Sequence, residues 1–215
     1  MNRKIFFAAV VSFFIFSSLV LAQYEDEPYV EGFVGGNYIS PSGYIKNDLE
    51  PDSLNATGGI GFNIGAGYYF KSNLVMGLYF GVNNMGAQDI VLNHRVFDFG
   101  LYAKYFVRDI TESSLSPYVK VSGGLVFSKL ITKVTSNGSV AFRELSYSPA
   151  FGTEIALGLH WKTNELGAVY FEGGYKIDMM NGVTGEFKGV DYPWSDNNNF
   201  LIFRAGVTVN IGPKE

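Results

Sequence analysis

The sequence predicts an all-β chain that closes into an eight-stranded antiparallel up-and-down transmembrane β-barrel. Three observations carry that expectation. Eight stretches alternate apolar and polar residues at period two, as strands do when their two faces meet different surroundings. The joins between them alternate long and short, which suits tight turns on one side of a membrane and larger loops on the other. The composition is rich in glycine and aromatics and poor in charge, with 26 Gly, 19 Phe and 14 Tyr against 17% charged residues, as lipid-facing β-structure is.

The chain opens with Asn2-Arg3-Lys4, the apolar run Ile5–Phe16 and the small-residue site Val20-Leu21-Ala22, the pattern of a signal peptide spanning residues 1–22. An uncleaved anchor is the competing reading; the acidic segment after Ala22 argues against it as a stop-transfer flank. Cleavage takes the formal net charge from −4 to −6 by removing Arg3 and Lys4. Residues 23–29 then form a periplasmic N-terminal segment and residues 30–215 the barrel domain. An acidic chain without a basic cluster is a poor nucleic-acid binder. With no cysteine, disulfides and Cys-based metal or redox sites are excluded.

The eight strands are expected at Val30–Ser40, Thr57–Phe70, Leu74–Asn84, Arg95–Val107, Pro117–Leu130, Pro149–Trp161, Gly167–Met180 and Phe200–Ile211. Tight joins fall at Lys71-Ser72-Asn73 and at Lys162–Leu166. The join Arg108–Ser116 fits least well, being long for a periplasmic turn. Pro117 and Pro149 open their strands, where a missing N–H does least harm. Asn137-Gly138 reads as a hairpin tip, so strands five and six are expected to continue beyond the bilayer. Glycines such as Gly59, Gly61, Gly65, Gly67, Gly77, Gly81, Gly123 and Gly124 fit close approach in a tightly curved sheet.

Each strand divides into two faces. Leu201, Phe203, Ala205, Val207, Val209 and Ile211 oppose Arg204, Gly206, Thr208 and Asn210; the other strands divide likewise. A soluble lipocalin-like barrel would turn the apolar set inward. Lipid is the preferred partner because the polar set carries glycines and charges of both signs. Aromatics also gather near the tight turns (Tyr69, Phe70, Tyr105, Phe106 and Trp161), as in an interfacial girdle. The inward set then holds Glu31, Asp98, Glu154, Glu172 and Asp178 beside Lys104, Lys120, Lys176 and Arg204. Eight strands leave a lumen just wide enough to be filled by side chains, so opposite charges should pair there. A salt-bridged plug is the expected outcome and a gated ion path the alternative. By the usual asymmetry the N-terminus and short turns are periplasmic and the four long loops extracellular. Asp48, Glu50 and Asp52 in the first loop, and Asp191, Tyr192, Trp194 and Asp196 in the last, are candidates for an exposed recognition surface.

The signal, the Gly-aromatic first strand Val30-Glu31-Gly32-Phe33-Val34-Gly35-Gly36-Asn37-Tyr38, the paired strands and the closing strand Phe200–Ile211 resemble the small outer-membrane β-barrel family of Gram-negative bacteria. That porin-like family includes the transmembrane domain of OmpA-like proteins, opacity-type proteins and OmpW. The resemblance implies the outer membrane as location, with its lipid, lipopolysaccharide and the barrel-assembly machinery as partners. Two departures stand out. No peptidoglycan-binding domain follows the barrel. The closing strand ends on Ile211 and Gly212-Pro213-Lys214-Glu215 rather than on an aromatic, which weakens the assembly signal.

Some barrels of this size modify lipid A by acyl transfer, which needs a nucleophile beside a base. Only His94 and His160 are available as imidazole bases; His94 has no serine two residues along, and His160 falls on the inward set beside Trp161, where a structural lumen or girdle role is expected, while two unrelated histidines are also a poor metal site. Gly58–Gly65 lacks the Lys-Ser/Thr ending of a phosphate loop. The expectation is therefore a monomeric, cofactor-free, non-enzymatic barrel with a plugged lumen, serving a structural or surface-interaction role through its loops, where an extracellular ligand could bind. A narrow channel for small solutes is the alternative, and a lipid A-modifying enzyme the third.

Overall fold

The computed structural model describes residues 30–42, 56–87, 91–110, 113–136, 139–164, 167–187, 189–194 and 196–211. The expected signal and N-terminal segment, and Asp48, Glu50 and Asp52, lie outside them. Eleven strands follow in chain order: β1 (Val30–Pro41), β2 (Ala56–Lys71), β3 (Leu74–Ala87), β4 (Val91–Phe106), β5 (Leu115–Ser136), β6 (Ser139–Tyr147), β7 (Ala150–Lys162), β8 (Gly167–Met179), β9 (Val183–Phe187), β10 (Val190–Trp194) and β11 (Asn198–Ile211). The barrel is made of β1, β2, β3, β4, β5, β7, β8 and β11, each antiparallel to the next. It closes where β1 pairs with β11 from Val30↔Ile211 to Pro41↔Phe200. Closure removes every edge within the bilayer, where an unpaired backbone group would be costly.

The faces divide as a membrane barrel requires. Ile64, Phe99, Leu157, Phe171, Phe203 and Val207 stand exposed on the outside, whereas Glu31, Asp98, Lys104, Glu172 and Lys176 are buried within. A lipocalin-like arrangement would be the reverse. Period two also corrects the girdle expectation. Neighbouring residues point to opposite faces, so Tyr105 and Trp161 remain outside while Tyr69 and Phe106 turn inward and are buried. Gly100 and Gly124 face each other on β4 and β5; a Cβ on either would lie within 2.8 Å of the other strand's backbone, so only glycine fits.

Two of the irregular joins have physical reasons. The turn after β4 is long because it folds beneath the barrel and buries Ile110 in the aromatic cluster at the lumen's lower end. At the long-loop end, β5 runs on past the barrel rim, where its pairing with β7 ends at Val126↔Ala150, and pairs with β6 out to Ser136↔Ser139, on either side of the expected Asn137-Gly138 tip. The expected sixth strand does not continue outward as one piece. Ser148-Pro149 separates β6 from β7, and Ser148 instead bonds to the Thr184 carbonyl through both its N–H and its hydroxyl. The last long loop holds a hairpin not anticipated from the sequence, β9–β10, whose ends use Gly182 and Gly189 at φ of 77° and 75°. This hairpin docks on β6 through Ser146↔Glu186 and Tyr147↔Gly185, so β5, β6, β9 and β10 form a sheet above the barrel.

Candidate functional site: the barrel lumen

The strand periodicity that turns apolar side chains to lipid delivers every charge of the polar set to the lumen, where each finds a partner. Lys104 on β4 lies directly opposite Lys120 on β5, a like-charge juxtaposition that would be unfavourable by itself. The two lysines turn to different acids. Lys104 Nζ reaches Glu31 on β1 at 2.6 Å, while Lys120 Nζ reaches Glu172 on β8 at 2.7 Å and Glu154 on β7 at 3.6 Å. Arg204 on β11 grips both oxygens of Glu154 through its two Nη groups and also donates to Glu172 at 3.2 Å. Bidentate geometry makes this the most directional of the pairs. Nearer the loop end, Lys176 lies between Asp98 and Asp178, the latter at 2.9 Å. Thus Glu31, Asp98, Lys104, Lys120, Glu154, Glu172, Lys176, Asp178 and Arg204 form three connected groups stacked along the axis.

Hydroxyls and amides satisfy further acceptor positions. Tyr118 donates to Glu172 at 2.8 Å, and Tyr102 donates to Glu31 at 3.1 Å. Asn37 donates to Asn83, which donates to Asp98 at 3.2 Å, linking β1, β3 and β4 across the lumen. The Lys104 ammonium is caged by rings as well as by Glu31. Phe33, Tyr102, Tyr118 and Tyr170 have centroids 4.7 to 5.6 Å from Nζ. Paired charge within an aromatic cage answers the desolvation cost that a lone lysine would meet there. The cage was the main feature missed from the sequence, although its signal was present: Phe33, Tyr102, Tyr118 and Tyr170 all occupy inward positions.

Both ends are covered. Tyr69, Phe106, Ile110 and His160 close the short-turn end, with His160 Nε2 3.2 Å from the Thr208 hydroxyl and its ring edge-on to Phe106. At the loop end an apolar layer that includes Ile39, Met85, Leu130, Met180 and Phe200 lies under Trp194. This corrects the reading of Trp194 as an exposed recognition residue. The β9–β10 hairpin swings it inward to 3% exposure, stacked on His94 with ring centroids 5.9 Å apart and edge-on to Tyr147 at 4.8 Å. Of the other residues proposed in that loop, Asp191 is exposed, Asp196 is half-buried, and Tyr192 pairs through its backbone with Gly185.

The structure also pairs His94 with a serine that spacing along the chain did not reveal. Ser128, on neighbouring β5, lies with its Oγ 2.6 Å from His94 Nε2. A nucleophile beside a base is half of an acyl-transfer site. The other half is a group that orients the imidazole, and among the described residues His94 Nδ1 has no hydrogen-bond partner. No cluster of three or more potential metal ligands occurs among the described residues.

Comparison with known proteins agrees with the barrel fold. The family described as outer membrane protein beta-barrel domain matches residues 6–207. No curated protein sequence matches the chain. Among solved structures, the outer membrane protein OprG of Pseudomonas aeruginosa shares 10% identity at a TM-score of 0.54, covering 88% of this chain and 98% of its own. The outer membrane protein AlkL, determined in lipid bilayers, shares 16% identity at a TM-score of 0.54, covering 89% and 93%. At these identities the likeness is one of fold.

Proposed function

From the premise that this chain belongs to the outer membrane protein β-barrel domain family and resides in the Gram-negative outer membrane, we propose that it is a closed-lumen barrel serving a structural or surface-interaction role. The observation that carries this reading is the pairing, among the described residues, of every charge in the barrel lumen between two covered ends. A conducting path through an eight-stranded lumen would need those pairs to part, and separating a buried pair is expensive. What remains available to the outside is the sheet β5–β6–β9–β10 and the loops around it. A monomer suffices for this role, with lipid and lipopolysaccharide as its surroundings and the barrel-assembly machinery as its route of insertion.

The second reading, a narrow solute channel, is favoured by one observation. Lys120 and Arg204 each contact both Glu154 and Glu172, so the pairs could exchange partners without stranding a charge. Liposome swelling separates the two. Vesicles carrying the protein should swell in small sugars no faster than empty vesicles; uptake that slows with solute size would favour the channel. We further propose that the protein is not an enzyme and that the His94–Ser128 bond is structural. The lipid A of cells carrying His94→Ala should then be indistinguishable from that of cells carrying the wild type. For the surface role, replacing residues 139–147 and 183–194 by Gly-Ser linkers should abolish binding of the intact cell's ligand while leaving the barrel folded.

A further inference from the structure

The outward face of the barrel is apolar along most of its height, and where that band ends towards the loops it carries two cations side by side. Arg95 on β4 and Lys129 on β5 are register partners. Their parity is that of Phe97, Phe99 and Phe127, so they stand on the lipid side, one outward position beyond the Phe97↔Phe127 pair. Like charges directly opposite each other repel. Among the described residues Glu144 on β6 is the acid in contact with them, 2.7 Å from Lys129, so this three-charge group is net positive, while Glu186 on β9 and Asp191 on β10 lie further along the same cross-strand row. Asn84 on β3 accepts from Arg95 Nε at 2.8 Å, which fixes the guanidinium and leaves its Nη1/Nη2 edge without a hydrogen-bond partner among the described residues. A fixed guanidinium edge beside an ammonium is the donor set that grips a phosphate.

We propose that Arg95 and Lys129 bind a phosphate of the outer-leaflet glycolipid, the phosphorylated headgroup of lipopolysaccharide, whose acyl chains then lie on the aromatic rows below. Height and chemistry both favour this ligand. The cations lie at the loop end, which faces the outer leaflet, and directly above lipid-facing Phe97 and Phe127, where headgroup phosphates meet the hydrocarbon. A soluble anion would have no use for the apolar surface beneath. Glu144 holds Lys129 upright and limits the net charge, so that one phosphate nearly neutralises the site.

The test uses the purified full chain in detergent micelles, with retention of added lipid read by native mass spectrometry. The probes are bis-phosphorylated lipid A, the same lipid with its phosphates removed, and inorganic phosphate as competitor. The wild type should hold phosphorylated lipid A at least about tenfold more tightly than R95Q/K129Q, the loss expected for two charge-assisted hydrogen bonds. The dephosphorylated lipid should not distinguish the two proteins. E144Q should bind at least as tightly as wild type. Equal binding of phosphorylated lipid A by wild type and double variant, retention of the dephosphorylated lipid by the wild type as tight as that of the phosphorylated lipid, or a loss in E144Q as large as in R95Q/K129Q would overturn the proposal. Displacement of the lipid by millimolar inorganic phosphate would identify a soluble-anion site and overturn it too. Heat-modifiable gel migration reports folding of each variant, and R95Q alone is judged on the same scale should the double variant fail to fold.

Discussion

Lys104 shows at the level of one residue how the lumen is held together. Its ammonium sits among four aromatic rings with Glu31 as counter-ion, and both groups are essentially out of water. Removing one member leaves a buried charge alone, so Lys104→Met should destabilise the folded barrel by about 3–5 kcal/mol, whereas Lys104→Met with Glu31→Gln should recover most of the loss. Urea titration of the protein in lipid vesicles measures both. The rings themselves need room. A Cβ on Gly158 would lie 2.2 Å from the Tyr118 ring, and one on Gly35 would lie 2.2 Å from the Tyr170 hydroxyl. These inward glycines are spaces into which neighbouring tyrosines fit. Gly158→Ala should cost about 1–3 kcal/mol by the same titration, as overpacking does, and Tyr118→Ala in that background should give part of it back.

At the scale of elements, the barrel strands were legible in the sequence because lipid outside and ion pairs inside impose strict alternation on them. Strands were misjudged where that constraint lapses. β6, β9 and β10 lie outside the closed ring of the barrel, where that alternation is not imposed. Their pairing is set by Pro149, by the positive φ of Gly182 and Gly189, by the β5–β6 hairpin and by the long-range docking of β9 on β6. Trp194 was misplaced for the same reason: a loop tryptophan between acidic residues reads as exposed unless the fold of its hairpin is known. The charges of the lumen were legible as a set, since parity alone turns them inward. Which lysine meets which acid was not, because that depends on the stagger of strands distant in sequence. The hairpin's dependence on Trp194 is testable. Trp194→Ala should leave heat-modifiable migration intact but make residues 183–194 sensitive to added protease. Fluorescence offers a second readout: Trp194 is buried whereas Trp161 is 57% exposed on the outer face, so loss of Trp194 should leave only a lipid-quenchable signal.

For the whole molecule, the apolar exterior and the charged interior are one design viewed from two sides. The outer face should therefore reject charge as strongly as the lumen requires it. Leu157→Arg, on the exposed face of β7, should lower folding into vesicles by about 2–4 kcal/mol if it sits near the midplane. The family and the outer-membrane location follow from the pattern that governs the whole chain, whereas the partner of the loops does not, because no periodic constraint acts on a recognition surface. The central claim is that the lumen is closed by its own charge pairs. Single-channel recording in planar bilayers tests it most directly. The wild type should give no stable conductance steps, with leak appearing only when Lys176→Ala or Glu172→Ala breaks the network. Stable steps from the wild type that those substitutions abolish would contradict it.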